Sequence, residues 1–253
     1  RSRTRTYIER PDDMRRLDDH ARGDAPPLTV LGESGCGKSA LLANWALGYR
    51  EANPDDLLIF HFIGSSPGST DGMLMLRRIM AEIGAHYGME DEIPTDPREM
   101  AEAFPTWLAK AQGRTILILD GLNQLTDADR ASELGWLPEF VPANVRVFLS
   151  TLPGAGLDAL GKRKGWGFFT VRRLTDTEQR TLIQEYLGRF GKELSEKRVK
   201  RIVAVPQTAN PLFLRVLLEE LRVFGRHGEE LDKQIDHYLK APRRGGTYRQ
   251  QGS

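Results

Sequence analysis

Gly32-Glu33-Ser34-Gly35-Cys36-Gly37-Lys38-Ser39 is the stretch whose reading decides the fold. It fits the pattern G-x-x-x-x-G-K-[ST] at every position, and its flanks fit too. An apolar run, Leu28-Thr29-Val30-Leu31, leads into it, and a helical pattern begins at Lys38. Each residue type has a physical reason to be there. Glycines let successive backbone N–H groups turn into one concavity that a Cβ would obstruct. The helix starting near Lys38 adds the partial positive charge of its N-terminus. Lys38 is expected to reach the β- and γ-phosphates, and the Ser39 hydroxyl to face Mg²⁺. Gly32 through Ala40 is therefore the expected phosphate cradle, including Glu33, Ser34, Gly35, Cys36 and Gly37. The Cys36 thiol could be accessible there, although a filler at a variable position explains it as well.

A phosphate loop needs an acid at the end of a neighbouring strand. Ile116-Leu117-Ile118-Leu119-Asp120 supplies one, with Asp120 as the expected Mg²⁺ carboxylate. In the Gly121-Leu122-Asn123-Gln124 that follows, the polar residues Asn123 and Gln124 are amides where a water-activating acid would be useful. An amide can position water but cannot take its proton, so slow hydrolysis is expected, with Lys38, Asp120 and Asn123 as the catalytic set.

Outward from these two motifs, further apolar runs fall at 57–63, 145–149 and 168–171. Continuous apolar runs suit parallel strands covered on both faces. Helical patterns lie between the runs at about 38–51, 72–87, 97–111 and 128–136. This alternation predicts an α/β fold, a doubly wound and mostly parallel five-stranded sheet. After about residue 174 only helices follow, at 176–190, 195–204, 211–224 and 229–239. Thr175 and Glu178 have capping-box spacing, and Pro211 sits at a helix start, where its missing N–H costs nothing. The expected organisation is an N-terminal segment 1–25, a nucleotide-binding core 26–173, an all-helical lobe 174–240 and a disordered tail 241–253.

The chain has 253 residues, with 36 Lys+Arg against 35 Asp+Glu. Such a balance gives no global field to recruit nucleic acid or an anionic membrane, so neither partner is expected. Arg1-Ser2-Arg3-Thr4-Arg5 and Arg243-Arg244 read as solvated tails. One cysteine points to a reducing, cytoplasmic setting, and no apolar run is long enough to span a membrane. The chain's first and last residues suggest an excised piece of something longer. Trp45, Trp107, Trp136 and Trp166 are spread as core residues are, His61 lies within an apolar run, and no histidine or cysteine cluster has metal spacing.

Together with residues 27–45 and the segment 120–125, Ser150-Thr151-Leu152-Pro153-Gly154 and Ala209-Asn210-Pro211-Leu212-Phe213-Leu214 resemble a STAND-class P-loop NTPase. The resemblance is to the NACHT-type modules of nephrocystin-3-like and bacterial multidomain signalling proteins, and it spans about residues 7–239. It implies an ATP/ADP switch that is closed around ADP at rest and oligomeric with ATP, working between effector and sensor domains of a longer chain. Tyr7, Ile8, Arg10 and Pro211 match the family's base-contacting positions, although Glu9 stands where the family often has glycine. Ser150 and Thr151 match the strand-end sensor, where Leu152 replaces a frequent arginine. Asn123 stands where many NACHT modules have a second acid. Two other readings remain open: a nucleotide-locked scaffold without meaningful turnover, and a small-molecule kinase.

Overall fold

The structure, a computed structural model, describes residues 7–66, 68–126, 134–223, 232–233, 235–237 and 239. They divide into two compact units: residues 9–172, and residues 7–8 together with those from 173 onward. The first unit therefore includes residues 9–25, which the sequence reading set apart as an N-terminal segment.

Five strands form one all-parallel sheet in the order β2-β3-β4-β1-β5: β1 Leu28–Leu31, β2 Leu57–Phe62, β3 Thr115–Asp120, β4 Val145–Ser150 and β5 Gly167–Thr170. Every residue of β3 and β4 is buried, as expected of central parallel strands with helices on both faces. Register pairs Phe62 with Asp120, Leu119 with Leu149 and Val30 with Ser150. Asp120, Ser150 and the turn after Leu31 therefore lie along the carboxyl edge of the sheet, where α/β folds place their ligands.

The helices of this unit are α1 Pro11–Arg22, α2 Lys38–Ala52, α3 Gly72–Tyr87, α4 Pro97–Ala109 and α5 Ala155–Gly161. Two of them, α1 and α5, were not anticipated from the sequence. α1 starts with Pro11 and the acids Asp12 and Asp13 and ends with Arg22, charges that complement its dipole. It buries Leu17, His20 and Ala21. The His20 ring meets the Phe148 ring of β4 edge-on at 4.7 Å, and Trp45 of α2 packs on that Phe148 ring at 4.7 Å. Asp71 caps α3 and Asp96 caps α4, each accepting two backbone N–H bonds. Of the helix expected at 128–136, residues 128–133 lie outside the described residues, and 134–136 form a turn.

His20 gives this unit a measurable pH dependence. Burial, with the Arg146 charge as a smaller contribution, pushes its pKa down to about 4. Below the ordinary value of 6.5 the unfolded chain takes up a proton that the folded one refuses, so stability falls as pH drops towards 4. The loss from this group reaches at most about 3 kcal/mol. Denaturant melts between pH 7 and pH 4 should show it, and His20→Leu should flatten that acid limb. An equally steep limb in the variant would assign the loss to other groups.

The second unit is helical: α6 Asp176–Gly188, α7 Glu196–Val203 and α8 Pro211–Val223, with a short 3₁₀ turn at Pro206–Ala209. The Thr175–Glu178 capping box forms. Leu214, Leu217, Leu218 and Leu221 fill the core with Leu182, Ile183 and Ile202, and Ile8 packs against it. Asn210 explains the start of α8: its Oδ1 accepts from the N–H groups of Leu212 (3.0 Å) and Phe213 (3.3 Å), with Pro211 in the first turn. Of the helix expected at 229–239, the described residues 232–233, 235–237 and 239 are helical. Asp232 pairs there with Arg198 and Arg201. The basic chain ends lie outside the described residues, and no described helix is long and apolar enough to cross a membrane.

Candidate functional site

The turn after β1 is shaped by glycines with left-handed backbones: Gly32 (φ +147°), Gly35 (φ +76°) and Gly37 (φ +101°). Cys36 N–H donates to Glu33 O at 3.2 Å, closing the turn, and Leu41 N–H to Gly37 O at 2.9 Å, starting α2. The first turn of α2 holds no acid, so nothing within the helix offsets its positive N-terminus. Lys38 folds back over the loop, its Nζ donating to Gly32 O (2.7 Å) and Glu33 O (3.2 Å). Glu33, Ser34, Ser39 and Ala40 are exposed at the mouth. Cys36 is not: only 1% of it is exposed, which fits the filler reading and not an accessible thiol. Its sulfur fills the space beneath Gly32, where an added Cβ would lie 2.6 Å from Sγ.

Arg10 supports the loop from below. It is buried, and it donates to Cys36 O at 3.2 Å and to Arg172 O, just after β5, at 2.9 Å. The guanidinium that the family resemblance directs to the base is thus committed to backbone carbonyls. Asp13 stands 3.9 Å from it, its carboxyl raised by burial and pulled back by the Arg10 charge. Of the other expected base contacts, Tyr7 and Ile8 are half-buried, as is Pro211 at the head of α8.

At the edge of β3, Asp120 is buried, and its Oδ1 accepts from the Ser150 hydroxyl at the end of β4. Gly121 N–H donates to the same Ser150 oxygen at 2.9 Å. One step further, Leu152 N–H donates to Asn123 Oδ1 at 3.2 Å. Thr151 is buried and bonds its neighbour's carbonyl, Leu152 O, at 3.1 Å. Gln124 lies across Gly64 and Gly121, where added Cβ atoms would collide with its amide. His61 is a core residue held by Ser69 O, and burial lowers its pKa.

The donor set suits Mg²⁺. It offers a carboxylate and a hydroxyl, both hard oxygen ligands, and Asp120 Oδ2 has no protein partner among the described residues. Among those residues there is no cluster of three or more histidine, cysteine or acidic side chains. Two of these couplings were missed in the sequence. Arg10 reaches backbone atoms 26 and 162 residues away, and Ser150 meets Asp120 only because β3 and β4 are neighbours.

Residues 27–190 match the NACHT domain. A TPR repeat-containing protein of Dictyostelium discoideum is 30% identical over 85% of this chain, and human nephrocystin-3 is 28% identical over 86%. The chain spans only 15% and 17% of those relatives' lengths. Among solved structures, a STAND protein from Pyrococcus horikoshii with a tetratricopeptide repeat sensor has a similar fold. Its TM-score is 0.50 at 15% identity, covering 95% of this chain and 34% of that one.

Proposed function

Because the chain belongs to the NACHT family of P-loop NTPases, we propose that it is an ATP- and ADP-operated signalling switch with slow, Mg²⁺-dependent hydrolysis. In this reading it rests closed around ADP and self-associates with ATP, as one module of a longer cytoplasmic protein. The relatives' greater length fits that placement. What carries the reading is the pairing, on one sheet edge, of a glycine-shaped loop bearing Lys38 with the buried Asp120.

The backbone N–H groups from Gly32 to Ala40 bind the phosphates, and the Lys38 ammonium neutralises the β/γ end. Ser39 and Asp120 hold Mg²⁺, which when bound offsets phosphate charge. Asn123 Oδ1 accepts from Leu152 N–H, which fixes the direction of its amide; the amide can position a water but takes no proton. Leu152 brings no charge to the γ-phosphate. Leu152 and the amide pair Asn123 and Gln124 favour the second reading, a nucleotide-locked scaffold.

Saturating ADP at a hundred times Kd is expected to stabilise the protein by about 2.7 kcal/mol. Turnover of the isolated chain should stay below about 1 s⁻¹. A melting curve indifferent to ADP would overturn nucleotide binding, and faster turnover would overturn the slow switch. Complete absence of turnover alongside tight binding would favour the scaffold.

A further inference from the structure

We infer that Ser150 is a positioning residue for Asp120, so that the end of β4 acts through the metal-binding carboxylate and not on the γ-phosphate. The inference rests on the nucleotide site proposed above.

The hydrogen-bond direction carries the argument. A serine hydroxyl has one proton to give. Gly121 N–H already donates to Ser150 Oγ at 2.9 Å, so this oxygen serves as an acceptor on that side. Its own proton is directed at Asp120 Oδ1, which as a carboxylate oxygen can only accept. While that bond stands, Ser150 has no proton to offer a phosphate oxygen. Thr151 is equally occupied, with its hydroxyl on Leu152 O. The expected pair of strand-end sensor hydroxyls is thus turned inward.

The bond also fixes something otherwise free. The terminal torsion of an aspartate is broad and nearly two-fold, so an unrestrained carboxylate spreads its oxygens over many directions. Ser150 and Asp120 are 1% and 5% exposed, and in such a desolvated place a hydrogen bond to a charged group is strong. Holding Oδ1 leaves Oδ2, which has no protein partner among the described residues, in one defined direction. A second tie, Leu152 N–H to Asn123 Oδ1 at 3.2 Å, joins the next residues of the same two segments. The end of β4 and the turn after β3 are thereby held together at two points.

The test is to titrate ADP, and separately a non-hydrolysable ATP analogue, in Mg²⁺ and in EDTA. Wild type, Ser150→Ala, Ser150→Cys and Ser150→Thr are compared, with melting curves confirming that each is folded. Ser150→Cys keeps the size but donates poorly, and it serves if the alanine variant does not fold. The gain in affinity from Mg²⁺ should fall roughly ten- to a hundredfold in Ser150→Ala and Ser150→Cys, for both nucleotides. The EDTA arm should move little, and Ser150→Thr should recover most of the gain. An unchanged Mg²⁺ gain in the folded variants overturns the inference, as does an equal fall in both arms. A loss confined to the ATP analogue also overturns it, and would return Ser150 to direct phosphate sensing. If wild type binds neither nucleotide in either arm, the nucleotide site itself is refuted, and this inference with it.

Discussion

Lys38→Ala is expected to weaken ADP and ATP binding at least about a hundredfold while the protein remains folded. Each hydrogen bond between the ammonium and a phosphate oxygen is worth about 1.5–3 kcal/mol, and two of them reach that factor. The backbone nest and the start of α2 supply only partial charges, which do not replace a full one. Lys38 also bridges Gly32 O and Glu33 O, so removing it should loosen the loop, with a modest fall in melting temperature without nucleotide. Calorimetric titration reads the first effect and thermal melting the second. Wild-type affinity in a folded Lys38→Ala protein would remove the phosphate-loop assignment.

Gly32→Ala should be the more damaging change to the fold. At φ +147° an alanine is strained, at a cost of about 1–3 kcal/mol. Its Cβ would also lie 2.6 Å from Cys36 Sγ and 3.1 Å from Val171 O. The sulfur is the flexible side of that clash. The carbonyl is not, because Val171 N–H is bonded to Leu31 O at 2.8 Å as β5 runs beside β1. A total on the order of 3 kcal/mol corresponds to a melting temperature lower by about 10 °C. Adding Cys36→Ala should recover part of that fall. Full recovery would show that the sulfur alone was the obstacle and that backbone strain counts for little.

Much of this could be read from the sequence, for reasons that lie in particular residues. The loop from Gly32 to Ser39 combines fixed residue types with a strand before and a helix after, so local chemistry suffices. The apolar runs ending at Asp120 and Ser150 gave strands, because six consecutive buried positions leave no alternation. α1 escaped because it buries only Leu17, His20 and Ala21 in a twelve-residue helix dominated by Asp and Arg, although Pro11-Asp12-Asp13 is a helix start. α5, at seven residues, is too short for a periodic signal. The two couplings that matter most for the site were not legible at all. Arg10 binds carbonyl groups, which carry no residue identity, and the Ser150–Asp120 bond requires the strand order.

The strand order has a consequence for the making of the protein. β1 pairs only with β4 and β5, which begin 117 and 139 residues after Leu28, at Val145 and Gly167. As the chain leaves the ribosome, β1 and the loop that follows it have no strand neighbour until residues 145–170 have been synthesised. The carbonyl of Arg172, which anchors Arg10, emerges later still. Closing such long segments carries an entropic cost before any contact rewards it, so parallel sheets of this kind form slowly. The phosphate cradle, which precedes both partner strands in the sequence, is therefore among the last parts of this unit to take shape. Until then the apolar run 28–31 is an open edge that other chains or a chaperone can meet first.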